Sequence, residues 1–432
     1  MSLTVSPGEA EPVFGDKMSD AAPVATQDRI SSLDFIRGLA VMGILAANIV
    51  AFGQPGSAYF WPEAFLVDAG DPGGWQWIAQ FVLIDGKMRG LFTLLFGAGM
   101  YLFMERAWAR GSTRWLQVWR LVMLWGFGLI HFYLIWFGDI LAMYATIGLL
   151  ALAFMGLQPG TQIRIGLFIY ALGFIFFGGV FSMQYLIAET GAFGAEPWAV
   201  EARAGILEGF DRQRADDAKV AVHQQSGNYA ALIAERFKQQ WFFPFVNPVF
   251  LLLETLPLML MGMGLYRQGF FSGGYDPDKM KLWGWTGVIV GGGLSLAIGL
   301  FIQAEGFSLV GVNSAFIGWS IAPRLMMVLG MAALLVEYSK TATGWLAERI
   351  SAAGRAAFTN YLGTSIVMMI VFQGWGLGLF GELNRPMLYL VTFLTWALML
   401  AWSKPWLERY RYGPLEWVWR CLTYRHVFPL RR

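Results

Sequence analysis

The sequence of 432 residues is 56% hydrophobic and only 14% charged, a composition that excludes an ordinary soluble globular protein. Its net charge of +2 points to no class of partner, and its basic residues flank apolar segments, so nucleic-acid binding is not expected. The single cysteine, Cys421, excludes an internal disulfide and a thiolate metal cluster, and three histidines leave little material for a zinc site. We therefore expect no bound metal.

Apolar segments long enough to cross a lipid bilayer recur along the chain. They predict an all-α, polytopic integral membrane protein with about ten transmembrane helices, and residues 75–84 form an additional interfacial or re-entrant candidate. The first 28 residues are polar and have no apolar core, so they are not expected to be a cleaved signal peptide. The predicted spans are residues 31–52, 86–105, 115–137, 139–157, 164–187, 244–266, 282–303, 316–337, 357–380 and 385–403.

Lysine and arginine are concentrated in alternate connections, which predicts that both termini are cytoplasmic. The long outer connection alternates apolar and charged residues at helical spacing, so it predicts amphipathic helices that form either a packing lid or an acceptor-binding lid. The predicted regions are a disordered polar tail (1–28), an N-terminal transmembrane bundle with the candidate site (29–187), an extracytoplasmic helical loop (188–243), a C-terminal transmembrane bundle (244–403) and a basic aromatic cytoplasmic tail (404–432).

The first predicted span carries Asp34, Arg37 and Asn48 on one stripe of its helical surface. A charge at bilayer depth costs roughly 2.5–3.5 kcal/mol even on a lenient scale, so this stripe is expected to face a polar site. The opposite side is purely apolar and is expected to face lipid. Asp34 and Arg37 lie one turn apart, so they either form an intrahelical ion pair or shape the inner mouth of the site.

Asn48, Lys87, His131 and Asp139 are predicted to gather in the outer half of the membrane. His131 is a candidate general base, and the alternative is a hydrogen bond to a neighbouring helix. Asp139 either orients His131 or caps the following helix. Asn48 either donates to an oxyanion or forms an interhelical hydrogen bond. Lys87 belongs to the site or, like Arg89, extends to the outer interface.

Three further patterns give weaker predictions: they concern an ion pair, two glycine-rich stretches and two arginines on the predicted cytoplasmic side. Glu254 and Arg324 both lie at membrane depth and are expected to pair. The glycine-rich stretches 96–99 and 291–293 favour close helix packing over a phosphate site. Arg355 and Arg420 either hold the phosphates of a cytosolic donor or simply follow the positive-inside rule.

Five stretches resemble the YeiB-like family of bacterial inner-membrane proteins, which carries a C-terminal domain of unknown function. They are SLDFIRGLAVMGILAANI, GKMRGLFTLLFGAGM, IHFYLIWFGDILAMYATIGLL, GRAAFTNYLGTS and YGPLEWVWRCLTY, and they occur in this order over nearly the whole chain. The polar and glycine-type positions that match are Asp34, Arg37, Gly38, Asn48, Lys87, Gly97, His131, Asp139, Asn360, Tyr361, Gly413, Pro414, Glu416, Trp419, Arg420 and Tyr424.

This family is similar to a transmembrane acyltransferase superfamily that includes the lysosomal enzyme acetylating heparan glucosamine. The resemblance implies a multi-pass protein of the bacterial inner membrane that uses a cytosolic acyl-CoA, acetyl-CoA in the first place. The acceptor would be a small molecule or glycan with an amine or hydroxyl on the other side. Catalysis is then assigned to His131, Asn48, Asp139 and Lys87, and donor binding is assigned to Asp34, Arg37, Arg355, Asn360, Tyr361 and Arg420.

No serine or cysteine stands beside His131 in the sequence, so direct transfer is favoured over an acyl-serine or acyl-cysteine intermediate, and an acyl-imidazole on His131 is the remaining alternative. The competing function is a transporter or exporter in which the same polar groups line a path. The chain has no convincing internal repeat, which disfavours transporters built from inverted repeats. Its glycine-rich and aromatic helix faces are compatible with a homodimer.

Overall fold

The computed structural model describes residues 31–432, so the prediction for the tail 1–28 lies outside the described residues. The described chain is helical, and its one β contact is an isolated bridge between Tyr410 and Arg431. The helices are α1 (Ser31–Gly53), α2 (Trp75–Leu83), α3 (Lys87–Trp108), α4 (Arg114–Ile130), α5 (Leu141–Ala151), α6 (Pro159–Tyr185), α7 (Pro197–Gln225), α8 (Tyr229–Gln239), α9 (Phe243–Phe250), α10 (Leu252–Arg267), α11 (Pro277–Ala304), α12 (Leu309–Asn313), α13 (Ile321–Thr341), α14 (Trp345–Arg355), α15 (Ala357–Phe372), α16 (Arg385–Arg409) and α17 (Pro414–Tyr424).

Local sequence signals explain where several of these helices begin. Asp276 precedes α11, and its side chain accepts hydrogen bonds from the backbone amides of Asp278 and Lys279. Asn384 caps α16 in the same way. Proline follows each of these caps, at a position where the missing amide hydrogen costs no hydrogen bond. The extra segment predicted at residues 75–84 forms the short helix α2.

Six helices of the described chain are long and apolar enough to cross a membrane. The bent pairs α9–α10 and α14–α15, with angles of 67° and 88°, raise the number to eight if each pair is one span. Two predicted spans are not among them, because α3 contains four charged residues and the segment Leu141–Phe154 is short. The structure is thus an all-helical membrane protein with six to eight candidate spans, and the number ten stays a prediction.

Helix α1 lies at the centre of the bundle, where it packs against α3, α13, α14, α15 and α16. In its most apolar 18-residue window, 83% of the residues are buried. The expectation that one side of α1 faces lipid is therefore wrong. Its apolar side chains, such as Ile36 and Ile49, are fully buried against other helices. We call the side of the bundle where α1 begins the near side, and the side where it ends the far side.

Glycines allow the central helices to approach closely. A Cβ atom on Gly97 of α3 would overlap the backbone carbonyl of Met259 in α10, and one on Gly262 would overlap that of Leu94. On α14, a Cβ on Gly354 would overlap the carbonyl of Asp34 in α1. At Gly97 the glycine-rich stretch 96–99 therefore serves helix packing, as its sequence predicted.

The Gly97→Ala variant is expected to lower the free energy of unfolding by about 1–3 kcal/mol, because the added methyl group forces α3 and α10 apart. Gly126 of α4 is the matched control, since a Cβ there meets no atom within 4 Å. Gly126→Ala should leave the stability unchanged or raise it by up to about 1 kcal/mol. Thermal unfolding in one detergent compares the two variants, and an equal loss in both would contradict the packing argument.

The predicted outer loop forms α7 and α8, which cover the far side of the bundle. The Asp217 carboxylate accepts a 2.7 Å hydrogen bond from the Ser57 amide. Arg236 of α8 donates to the carbonyls of Phe132 and Tyr133 at 3.5 and 3.3 Å. The hydroxyl of Tyr229 donates to the carbonyl of Leu134. These contacts show that the loop packs on the bundle, and the acceptor-binding role stays a prediction.

Candidate active site at the junction of two cavities

His131 begins a π-helical turn, His131–Ile135, that extends α4 towards the far side. Its side chain is fully buried, and its Nδ1 lies 2.9 Å from Oδ1 of Asp139. An ionised carboxylate only accepts hydrogen bonds, so this contact places the proton of a neutral imidazole on Nδ1. Nε2 is then the basic nitrogen, and it points at the Ser365 hydroxyl 2.9 Å away.

Asp139 fulfils both roles that its sequence position suggested. Oδ1 orients His131, while Oδ2 accepts a 2.7 Å hydrogen bond from the Ala142 amide at the start of α5. The short link between α4 and α5 brings the two side chains together. A structural cap and an orienting carboxylate therefore coexist in one residue.

Ser365 corrects the expectation that no serine stands beside His131. It comes from α15, 234 residues further along the chain, and is 2% exposed. Its hydroxyl also lies 3.3 Å from the carbonyl of Tyr361, one turn earlier. Ser365, His131 and Asp139 thus form a chain of hydrogen bonds with the order found in serine hydrolases. The signal in the sequence was the stretch GRAAFTNYLGTS, whose last residue is Ser365.

Tyr361 lies between this chain of hydrogen bonds and the near side of the bundle. Its ring centre lies 5.1 Å from that of His131. Its hydroxyl accepts from the Ile140 amide at 3.3 Å and donates to the Gly138 carbonyl at 3.4 Å. Both hydrogen bonds are long, so a small rotation of the tyrosine would break them.

A cavity of about 330 Å³ opens on the near side of the bundle. Its inner part is apolar and aromatic and ends at Ile140, Tyr144 and Tyr361. Six arginines also line it, and they come from α1, the end of α3 and the turn that follows it, α4, α14 and α17. They are Arg37, Arg106, Arg110, Arg120, Arg355 and Arg420.

Glu416 is the one carboxylate among the described residues that line this near cavity. It caps α15 by accepting hydrogen bonds from the amides of Phe358 and Thr359 at 2.7 and 3.1 Å. Burial raises the pKa of the Glu416 carboxyl, and these hydrogen bonds oppose that effect. Arg120 is held between the rings of Phe103 and Trp419. The wall is therefore strongly basic, which suits a ligand with several phosphate groups.

A second cavity, of about 310 Å³, lies on the far side. Its charged residues form an ion-pair triad: Glu254 contacts Arg324 at 2.8 Å and Arg89 at 2.7 Å. The predicted pairing of Glu254 with Arg324 is confirmed. Arg89 does not extend to the outer interface, because it is the second partner of this glutamate. Asn48 also lines the far cavity.

The two cavities meet at Ile140, which lines both of them. Gly138 lines the far cavity, and the intervening residue is Asp139. The link between α4 and α5 is therefore the wall between the cavities, and it carries the carboxylate that orients His131. His131 and Ser365 themselves line neither cavity.

Comparison with known proteins gives matches in sequence. Residues 265–426 match a family model described as a protein of unknown function, DUF418. YxaH of Bacillus subtilis is 29% identical over 96% of this chain and 99% of its own length. YeiB of Escherichia coli is 28% identical over 93% of this chain and 98% of its own. The chain is therefore similar to YxaH and YeiB over nearly its whole length, and its C-terminal part matches the DUF418 model.

A third relative, from Bacillus acidopullulyticus, is 26% identical over 94% of this chain and 97% of its own length. All three relatives are named as uncharacterised proteins. No solved structure gives a significant match. The DUF418 region includes Tyr361, Ser365 and Arg420, whereas His131 and Asp139 precede it. The candidate site therefore draws residues from both halves of the chain.

The expected cluster of four residues in the outer half does not form as a whole. His131 and Asp139 are in contact, and Asn48 lies in the far cavity. Lys87 lines neither large cavity: it is fully buried, donates to the carbonyl of Phe81, and lies 5.0 Å from the centre of that ring. Lys87 is therefore not part of the cluster that the sequence predicted.

The residues assigned to donor binding are also divided. Arg37, Arg355, Tyr361 and Arg420 line the near cavity. Asp34 does not line the near cavity, but it pairs with Arg37 at 3.2 Å. The intrahelical ion pair is therefore present, and its arginine also lines the near cavity. Asn360 is buried away from both cavities, where it donates to the Ala353 carbonyl and the Ser403 hydroxyl and accepts from Trp402. These bonds make it a packing residue.

Proposed function

We propose that the chain is an acyltransferase of the bacterial inner membrane, with about ten spans and both termini in the cytoplasm. It would transfer an acyl group from a cytosolic acyl-CoA to an amine or hydroxyl acceptor on the other side. The observation that carries this proposal is the meeting of two cavities at Ile140, next to the His131–Asp139 pair. Donor and acceptor can approach one wall from opposite sides without either crossing the membrane.

The near cavity supports a coenzyme A donor. The phosphates of this donor would lie among the arginines, and its acyl end would extend along the apolar inner part towards Tyr361 and Ile140. A volume of about 330 Å³ is at the lower limit for small-molecule sites, so part of the donor would remain outside. Acetyl-CoA is the simplest donor that this arrangement would accept.

In the direct route, the acceptor amine or hydroxyl attacks the thioester carbonyl, and its proton passes to His131. The carbon–sulfur bond breaks, and the protonated imidazole returns the proton to the departing thiolate. Asp139 stabilises the imidazolium. Asn48 would donate a hydrogen bond to the carbonyl oxygen as negative charge develops there.

Ser365 adds a second route, because its hydroxyl points at the basic nitrogen of His131. In the direct route this hydroxyl relays the proton from the acceptor to Nε2. In the covalent route Ser365 attacks the thioester and gives its proton to His131, the carbon–sulfur bond breaks, and the imidazolium returns the proton to the departing CoA thiolate. The acceptor then attacks the acyl-serine and gives its proton to His131, which returns it to the Ser365 oxygen as the ester bond breaks. Both routes require Tyr361 to move, since Tyr361 lies between the near cavity and His131.

The test uses the full chain, purified and reconstituted in vesicles, with radiolabelled acetyl-CoA as the donor. A bacterial membrane extract and soluble amino sugars provide acceptors. We expect label in an acceptor together with an equal amount of released CoA. The transporter alternative predicts movement of a solute across the vesicle membrane with no labelled product. Absence of both CoA binding and product would overturn the proposed function.

Arg420→Gln is expected to weaken CoA binding about tenfold, because it removes a charge from the wall of the near cavity. Arg409 is the matched control: it lies on the same side of the bundle, at the exposed end of α16, and does not line the cavity. Titration calorimetry with free CoA at two salt concentrations measures both variants. Equal weakening by Arg409→Gln would show that only the general positive charge of this side matters.

A further inference from the structure

The far cavity is lined by hydrogen-bonding side chains that the protein itself leaves unused. Asn48, Tyr59 and Asn247 come from three separate segments and all face this space. Among the described residues, 31–432, none of these three side chains forms a hydrogen bond with the protein, and Asn247 accepts only through its backbone carbonyl, from the Leu251 amide. All three residues are partly exposed and line the cavity, so a ligand or water there can form hydrogen bonds with them. Three such side chains around one cavity are a recognition surface for hydroxyl or carbonyl groups.

The ion-pair triad in the same wall has one positive charge in excess. Both carboxylate oxygens of Glu254 are occupied, one by Arg324 and the other by Arg89. Arg324 is 6% exposed, and its Nε has no hydrogen-bond partner among the described residues. The side chain of Arg89 is 23% exposed, and the cavity that it lines gives a ligand access to it. An anion bound in the cavity would balance the net positive charge of the triad.

The rest of the lining is apolar, and much of it is aromatic. Phe60, Phe177, Phe250 and Phe316 line the space together with Tyr59. Flat aromatic surfaces pack well against the apolar faces of a ring, while the amides bind the polar groups at its edge. The volume of about 310 Å³ suits a ligand of one or two rings.

We propose that the far cavity is a binding site for a hydroxylated ring that carries one anionic group, such as a sugar acid or a sugar phosphate. The carboxylate or phosphate binds at Arg89 and Arg324. Asn48, Tyr59 and Asn247 hold the hydroxyl groups. That this ligand is the acyl acceptor rests on the proposed function, whereas its binding does not.

The test measures binding to the purified full chain in nanodiscs by titration calorimetry, with glucuronate, glucose 6-phosphate and glucose as probes. Glucuronate or glucose 6-phosphate should bind at least about tenfold more tightly than glucose, as expected for a charge-assisted hydrogen bond. The preference between the two anions identifies the group as a carboxylate or a phosphate. Glucose binding as tightly as both anions, or no binding of any probe, would overturn the proposal.

Two variants localise the binding. Arg89→Gln should remove the preference for anions, and Asn247→Ala, which leaves the ion-pair triad intact, should weaken all ring probes several-fold. Arg420→Gln in the near cavity should change neither. Unchanged glucuronate binding in both far-cavity variants would place the site elsewhere.

The two proposals can fail separately. Tight binding of an anionic ring with no transfer of label from acetyl-CoA would overturn the acyltransferase but leave this site in place. Acyl transfer to neutral and anionic acceptors at equal rates, with equal affinities, would overturn the anion site but leave the acyltransferase in place.

Discussion

His131→Gln is expected to lower the rate of acyl transfer by roughly 10²–10⁴-fold, the contribution of a general base, while CoA binding stays unchanged. Glutamine can still form hydrogen bonds to Asp139 and Ser365, so the buried surroundings of residue 131 remain satisfied. The measurement is the initial rate of acceptor labelling, together with thermal unfolding as a test of folding. His223→Gln on α7 is the control, and its rate should equal that of the wild type.

Ser365→Ala separates the two routes. In direct transfer the variant loses a proton relay but keeps measurable activity, and no acyl group is found on the wild-type protein. In the covalent route the variant is inactive, and label from acetyl-CoA remains on the denatured wild-type protein in a bond that hydroxylamine cleaves. A wild-type rate in His131→Gln would exclude both routes.

Glu254→Ala is expected to destabilise the protein by about 3–5 kcal/mol, because it leaves the buried Arg324 and the partly buried Arg89 without their shared counter-ion. Thermal unfolding and the yield of monodisperse protein in detergent measure the loss. Glu208→Ala removes an exposed glutamate of α7 and should have little effect.

Replacing the whole triad gives a stronger test of the electrostatic explanation. The triple variant Arg89→Met/Glu254→Leu/Arg324→Met has no buried charge at this position, so its stability should equal or exceed that of the wild type. It should nevertheless lose the binding of anionic rings. A triple variant as unstable as Glu254→Ala would mean that the shape of these side chains, and not their charge, supports the far cavity.

The helical character of the apolar segments followed from their length and composition, and the contact between His131 and Asp139 was one of the two roles that the sequence left open for Asp139. The surroundings of α1 could not be predicted in the same way. A face that packs against other membrane helices is as apolar as one that faces lipid, so composition alone does not distinguish them. For this reason the central position of α1 became evident only in three dimensions.

Ser365 and Arg89 illustrate the second limit of the sequence. Their partners lie 234 and 165 residues away, and no periodicity connects positions so far apart. The pairing of Glu254 with Arg324 was predictable because each is a lone charge at membrane depth. Arg89 lies near the start of its helix, where a side chain that extends to the membrane interface is equally compatible with the sequence.

Tyr229 and Arg236 donate hydrogen bonds to carbonyl groups of the turn that begins with His131. Contacts from the outer loop therefore help to hold the turn that carries the imidazole. This has a practical consequence for topology mapping, in which reporter domains are fused into extramembrane connections. A fusion between α7 and α8 would pull on the turn that holds His131 and could inactivate a correctly inserted protein. A reporter near the exposed Arg212 in the middle of α7 would leave those carbonyl contacts intact.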